Sequence, residues 1–221
     1  MSKPLKRRQH ILITSGPTRQ YLDPVRYITN ASSGRMGASL AQAALQRGHK
    51  VTVVSGPVTV DYPAEANVVD VVTTDDMLQA ASDRFRNCDG VIGAAAPCDY
   101  QPRKVLTEKI AKTGDPLRLD LLETADVIAT LGQKKRTDQW VVGFALETDD
   151  HRFRAIVKLE RKHCDLIVSN TPAAIDAVNN HVELINASGA LVDTIIGSKA
   201  QVADRLLHHI DDLLIQKETT T

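Results

Sequence analysis

Short apolar runs recur along most of the chain, and stretches with helical spacing lie between them. Residues 10–14 form the first run and end in Ser15-Gly16-Pro17. Further runs follow at residues 50–55, 68–72, 90–96, 140–145 and 166–169. Each is long enough for a buried strand and far too short for the ~20 residues that span a bilayer. Between the first two runs, Met36, Leu40, Ala43 and Ala44 make a helical stripe, with Gly48 just past its end as a C-terminal stop. Thr73 or Thr74 is placed to cap a helix whose first turn holds Asp75 and Asp76, and Asp149 or Asp150 to open one that runs to about Lys162. Strands alternating with helices at this spacing predict βαβ units, and so a parallel sheet covered on both faces.

The end of the chain differs. Residues 181–185 and 191–195 flank Asn186-Ala187-Ser188-Gly189, which predicts an antiparallel hairpin. Ser198 with Gln201 three residues later is a capping box, and the helix it opens carries Val202, Leu206, Ile210 and Leu213 on one face. The expected fold is α/β: a Rossmann-like parallel sheet with helices on both faces, plus a small antiparallel β-hairpin near the C-terminus. Residues 1–9 are expected to be a flexible tail in which Lys6, Arg7 and Arg8 are solvated. Residues 10–217 form one domain, and the chain from Lys217 to Thr221 is a loose end.

Composition narrows the function classes. The chain has 221 residues, 43% hydrophobic and 24% charged, as an ordinary globular domain does. Lys plus Arg and Asp plus Glu both number 27, so the basic surplus of a protein held by nucleic-acid phosphates is missing. A polar, basic start with no apolar stretch after it predicts no secretory signal, and the absence of long apolar runs predicts no membrane span. Cys88, Cys98 and Cys164 are odd in number and lack metal-ligand spacing, which suits a reducing, cytoplasmic setting without disulfides or zinc. Cys98 lies near the strand ends without an evident base, and His208 and His209 read as edge residues of the last helix.

In an open parallel sheet, ligands bind at the carboxyl ends of the strands. Here those ends carry Ser15-Gly16-Pro17-Thr18-Arg19, Ser55-Gly56-Pro57, and Ala94-Ala95-Ala96 followed by Asp99. Such small residues let a ligand approach the backbone. A dinucleotide fits poorly: the first turn has no G-x-G-x-x-G, and Ser55 stands where a ribose-binding acid belongs. The first helix starts only at Ser32-Ser33-Gly34-Arg35-Met36-Gly37. That start is either an anion site or a capped helix whose glycine serves packing. The long loop before it holds Arg19, Asp23, Arg26 and Asn30, and is either functional or an excursion tied by salt bridges. Lys109 and Lys112 follow Asp99 and could oppose phosphoryl charge or simply be solvated; Lys158 and Lys162 share a helix face.

Ordered blocks carry a resemblance. The run from Thr14 to Arg19, then Asp23-Pro24-Val25-Arg26-Tyr27-Ile28-Thr29-Asn30 and Ser32-Ser33-Gly34-Arg35-Met36-Gly37, resembles phosphopantothenoylcysteine synthetase. Val54-Ser55-Gly56-Pro57, Asp99-Tyr100, Glu108-Lys109-Ile110, Val142-Gly143-Phe144-Ala145, Glu147-Thr148 and Asp165-Leu166-Ile167 continue it. This family joins 4′-phosphopantothenate to L-cysteine in coenzyme A biosynthesis through an acyl-nucleotidyl intermediate. In many bacteria it is fused to a flavin-dependent decarboxylase. The resemblance implies CTP as cosubstrate, with ATP as the alternative, Mg2+, and a homodimer. It also implies a separate decarboxylase as a partner, and no flavin on this chain. It assigns catalysis to Asn30 and Lys109, and the nucleotide to Ala94, Ala95, Ala96, Asp99, Lys109, Ala125, Asp126, Val127, Ile128, Phe144, Lys158 and Lys162. Arg26, Asn30, Ser33 and Gly34 fall to the phosphopantothenate side, and metal ligands are not assigned.

Three segments depart from the family pattern. Lys-x-Lys-Lys is Lys109-Ile110-Ala111-Lys112 here, Lys-Asn-Pro-Asp is Glu123-Thr124-Ala125-Asp126, and Asn-Asp is Asn170-Thr171 before a shortened flap. Rival readings are a nucleotide-binding homologue without ligase activity and an NAD(P)-dependent reductase.

Overall fold

In a computed structural model, the described residues are 7–146, 151–170 and 180–216. The expected caps Asp149 and Asp150, together with Lys6, Glu147, Thr148, Thr171, the shortened flap and the stretch from Lys217 to Thr221, lie outside them. Along the chain run β1 (His10–Ser15), β2 (Arg19–Tyr21), β3 (Tyr27–Thr29), α1 (Arg35–Gln46), β4 (Lys50–Ser55), β5 (Asn67–Asp70) and α2 (Thr74–Phe85). Then come β6 (Gly90–Gly93), β7 (Tyr100–Pro102), β8 (Leu121–Glu123), α3 (Val127–Lys134), β9 (Trp140–Leu146) and α4 (His151–Arg161). The chain continues with β10 (Leu166–Asn170), β11 (Asn180–Asn186), β12 (Leu191–Gly197) and α5 (Lys199–Ile210), and a π-helical turn over Asp211–Ile215.

One eight-stranded sheet has the order β12-β11-β10-β9-β6-β1-β4-β5. From β5 to β10 every pairing is parallel, and β11 and β12 join antiparallel. The C-terminal hairpin is therefore not an appendage. It extends the sheet edge, with Leu166 opposite Asn186 and Val168 opposite Leu184. Strand residues alternate between two cores. Ile11, Ile13, Val51 and Val53 face Leu40 and Ala44 of α1 and Leu206 of α5. Leu12, Val91 and Val141 face Met77 of α2, Leu131 of α3 and Leu159 of α4.

Local chemistry explains the helix ends. Thr73 accepts the Asp76 N–H while Asp76 accepts the Thr73 N–H, and Ser198 and Gln201 close the same reciprocal box. Gly48, at φ 83°, ends α1 in a conformation that glycine tolerates best. Leu213 leaves the expected face. The π-helical turn, closed by the Gln216 N–H on the Asp211 carbonyl, turns Leu213 outward and packs Leu214 and Ile215 on the core instead. The run at residues 90–96 is strand only to Gly93, although Ala94 and Ala96 still bond to the Thr14 and Gly16 carbonyls beside β1.

At the amino end of the central strand β1, Gln9 is already inside the fold. Its N–H donates to His49 Nδ1 at 3.2 Å, so His49 carries its proton on Nε2 and donates to Asp211 at 3.0 Å. The Arg47 guanidinium lies 3.7 Å from the same carboxylate, which is 1% exposed. This cluster ties the start of β1 to the end of α5. Asp211→Ala should lower the unfolding free energy by about 3 kcal/mol, because it strands the buried His49 Nε2 donor and removes the carboxylate beside Arg47. Asp211→Asn, which keeps an acceptor for His49, should lose less. Urea denaturation checks both, and equal stability of wild type and Asp211→Ala would refute the role.

Candidate functional site

The chain leaves β1 for β4 on one side, and later leaves β6 for β9 on the other. The crevice between β1 and β6 is thus the topological switch point, where open α/β sheets bind ligands. A cavity of about 500 Å3 occupies that place. Thr14, Gly93 and Gly143 form its floor. Gly93 is required there, since a Cβ would come within 2.4 Å of Ile128 Cγ1.

The walls bring together many of the expected nucleotide residues: Ala95, Asp99, Ala125, Asp126, Val127, Ile128, Phe144 and Lys162. Tyr100, Glu123, Thr124, Gln133 and Arg161 also line it. The sequence names Tyr100 within the resemblance and Glu123 and Thr124 among the departures without assigning them to the site; Gln133 and Arg161 were missed, and of those two Arg161 had a usable signal, a helix face shared with Lys158 and Lys162. Ala94 and Ala96 lie off the wall and serve the backbone pairing with the β1 turn. Lys158 is half-buried on α4, one turn before Lys162, and is also off the wall.

A buried hydroxyl network shapes the wall. The Cys98 N–H donates to Thr18 Oγ1 at 2.8 Å, and the Thr18 and Thr74 hydroxyls lie 2.8 Å apart. Thr74 and Thr124 both donate to the Cys98 carbonyl, at 3.1 and 2.6 Å. The Cys98 thiol is a structural donor to the Thr18 and Ile28 carbonyls, and burial pushes its pKa up. Burial likewise pushes Cys88 to about 11 and Cys164 to about 12, so none of the three is a thiolate near neutrality.

Asp126 caps α3 by accepting the Ala129 N–H at 3.0 Å. Burial opposes its ionisation, but Lys162 at 3.1 Å, the Ala129 N–H and Arg161 together hold its carboxyl below the usual range. Asp99 and Glu123 add two exposed carboxylates to the wall. Such hard oxygen donors fit a magnesium ion, which keeps several waters and takes only one or two carboxylates alongside phosphate. Among the described residues, no group of three His, Cys, Asp or Glu side chains could hold a metal by itself.

The other expected residues lie behind the cavity rim. Asn30 is exposed, and its amide donates to the Pro97 carbonyl at 2.8 Å and the Ala96 carbonyl at 3.4 Å. It therefore touches the segment that forms the wall. Asp23, fully buried, accepts from the Ile110, Val25 and Arg26 N–H groups and from the Arg26 guanidinium at 2.7 Å. Arg26 also donates to the Ile110 carbonyl at 3.0 Å. This places Lys109, exposed and off the cavity wall, beside Arg26. Gly34 caps α1 in the left-handed region at φ 74°, and a Cβ there would meet Val58 and Val60 methyls at 2.8 and 3.1 Å. The packing role of this glycine is real, while Ser33 next to it remains exposed.

Comparison with known proteins gives one matching family model, the DNA/pantothenate metabolism flavoprotein C-terminal domain, over residues 6–214. A Cysteine/Cysteine sulfinic acid decarboxylase from an unknown prokaryotic organism is 39% identical over 213 residues, covering 94% of this chain and 59% of its own length. The Coenzyme A biosynthesis bifunctional protein CoaBC of Bacillus subtilis is 39% identical over 214 residues, covering 95% and 52%. The chain thus spans little more than half of these curated relatives. A crystal structure of the C-terminal domain of a Coenzyme A biosynthesis bifunctional protein CoaBC superposes with a TM-score of 0.81 at 33% identity, covering 96% of this chain and 98% of that one.

The Asp23 hub generates a pH prediction. The N–H of Ile110, opposed by burial and helped by the Val25 and Arg26 N–H groups and the guanidinium, pulls the Asp23 pKa from its ordinary 3.8 to about 2. A lowered carboxyl pKa contributes stability that is fully present above the ordinary value and lost as pH falls through the folded one. The Ile110 amide should therefore stay protected from hydrogen exchange at pH 5 and lose protection as pH drops towards about 2. Asp23→Asn should lose it already at neutral pH; full protection in that variant would show that the carboxylate does not hold the loop.

Proposed function

The chain belongs to the DNA/pantothenate metabolism flavoprotein C-terminal domain family, and from that premise we propose that it is a phosphopantothenate–cysteine ligase of coenzyme A biosynthesis. The observation that carries this reading is the convergence of Ala95, Asp99, residues 125–128, Phe144 and Lys162 on one switch-point cavity. The cavity is large enough for a nucleotide, apolar at Phe144, Val127 and Ile128, and cationic at Lys162 and Arg161.

In this reading, CTP sits in the cavity with its base against the apolar wall, and ATP is the alternative cosubstrate. The phosphopantothenate carboxylate attacks the α-phosphate, and pyrophosphate leaves with the electron pair of the broken P–O bond. The cysteine amine then attacks the activated carbonyl, and the nucleoside monophosphate leaves as the amide forms. Lys109 opposes the charge that builds on the phosphoryl oxygens. Asn30, a neutral amide at the rim, orients the activated acyl group without adding charge. Asp99 and Glu123 would hold Mg2+, which supplies charge neutralisation on the triphosphate. Arg26, Ser33 and Gly34 receive the phosphopantothenate phosphate. A NAD(P) reductase is disfavoured by the turn after β1, which has no G-x-G-x-x-G, and by Ser55 at the place of a ribose-binding acid.

Lys109 and Arg26 lie off the cavity wall of their own chain, and Val25, Tyr27, Leu117 and Leu122 leave apolar surface exposed. A homodimer covers that apolar surface and brings those cations to a cavity. A separate decarboxylase that consumes the ligase product is the natural partner class.

Two measurements test the proposal. With phosphopantothenate and cysteine, CTP or ATP should give stoichiometric pyrophosphate, and Lys109→Gln should slow its release about a hundred- to thousand-fold while remaining folded. Pyrophosphate release by a folded Lys109→Gln at the wild-type rate would remove Lys109 from the mechanism. Sedimentation equilibrium should give a dimer; the mass of a single 24.1 kDa chain at micromolar concentration would contradict the shared site.

A further inference from the structure

The charges on the cavity wall do not match a triphosphate. Three carboxylates, Asp99, Glu123 and Asp126, face two cations, Arg161 and Lys162, among the described lining residues. Lys162 is engaged, with its ammonium 3.1 Å from Asp126. Arg161 is different. Its nearest carboxylate contact puts Nη2 3.6 Å from Asp126, beyond hydrogen-bond distance, and its side chain is 66% exposed at the cavity mouth.

The backbone under Arg161 is firmly held. Ala155 and Leu159 of α4 are buried in the core, and the Lys162 and Cys164 N–H groups close the last turn on the Lys158 and Leu159 carbonyls. A guanidinium on such a rigid helix end presents a planar fork of donors, suited to two phosphate oxygens at once. Building on the nucleotide reading above, we infer that Arg161 is a phosphate-binding residue that grips the β- and γ-phosphates of the nucleoside triphosphate, supplying positive charge that the rest of the wall lacks. Entry of the triphosphate would draw the guanidinium from its long contact with Asp126 onto the phosphate oxygens, leaving Asp126 to Lys162. The bland alternative is a helix C-terminal cation that interacts only with the dipole and Asp126.

Calorimetric titration of CTP and CMP into the full chain separates these. Wild type should bind CTP more tightly than CMP. Arg161→Gln should weaken CTP about tenfold or more and CMP less than about twofold, with an unchanged melting temperature. Arg161→Lys should recover part of the loss, since it keeps the charge but not the fork. CTP affinity in Arg161→Gln within about twofold of wild type, or equal losses for CTP and CMP, would overturn the inference while leaving the nucleotide reading intact. If Arg161→Gln does not fold, the folded Arg161→Lys must itself weaken CTP more than CMP. A wild-type chain that binds neither CTP nor ATP would overturn the nucleotide reading and this inference with it.

Discussion

The Thr18 hydroxyl holds together the carboxyl ends of the central strands, on which everything functional depends. It accepts the Cys98 N–H and meets the Thr74 hydroxyl, and so links the turn after β1, the loop after β6 and the start of α2. The neighbouring crossing is just as tight. A Cβ on Gly56 would lie 1.6 Å from the Pro17 carbonyl oxygen, so the β1 and β4 turns touch through bare backbone. These are buried polar contacts in a dry interior, where each unpaired group would cost about 1–3 kcal/mol. With the β1 and β6 exits pinned in this way, the switch-point crevice keeps a defined width, and Ala95, Phe144 and Ile128 form opposing walls.

Electrostatics then divides the site between two regions. Inside the cavity, Asp126 both caps α3 and binds Lys162, so a single carboxylate fixes a helix start and a cation together. Outside the rim, Asp23 gathers three backbone N–H groups and the Arg26 guanidinium, and thereby docks the 103–120 segment onto the β2–β3 hairpin. Asn30 stands between the two regions through its bond to Pro97. Hydrogen bonds made within the backbone frame position these groups, and few of them rely on exposed ion pairs, which contribute little.

Much of the architecture was legible because it is encoded locally. The Thr73–Asp76 and Ser198–Gln201 boxes announce helix starts within four residues, and Gly48 announces a stop. The apolar runs announce buried strands. Other elements were not legible for the same reason reversed. The three-residue strands β2, β3, β7 and β8 carry too short a pattern to be read, even though Asp23 closes the β2–β3 turn locally on the Val25 and Arg26 N–H groups. Helix α3 has only eight residues, its Asp126 cap lies within a segment read only through the resemblance, and the π-helical turn that displaces Leu213 has no sequence signature.

The candidate site follows the same division. The sequence by itself determined which chemistry is present: small residues at strand ends, an amide at Asn30, cations at Lys109, Lys158 and Lys162, and the ordered blocks of the family. Only the tertiary structure decided which of these meet. It placed Asp99, residues 125–128, Phe144 and Lys162 on one cavity, added Arg161 and Glu123 to it, and left Lys109 beside Arg26 on another surface. The physical reason is range. Caps, stops and alternation act over a few residues of chain, whereas a cavity wall is assembled by parallel strand pairing and buried hydrogen bonds between segments some eighty residues apart, such as Thr18 and Cys98.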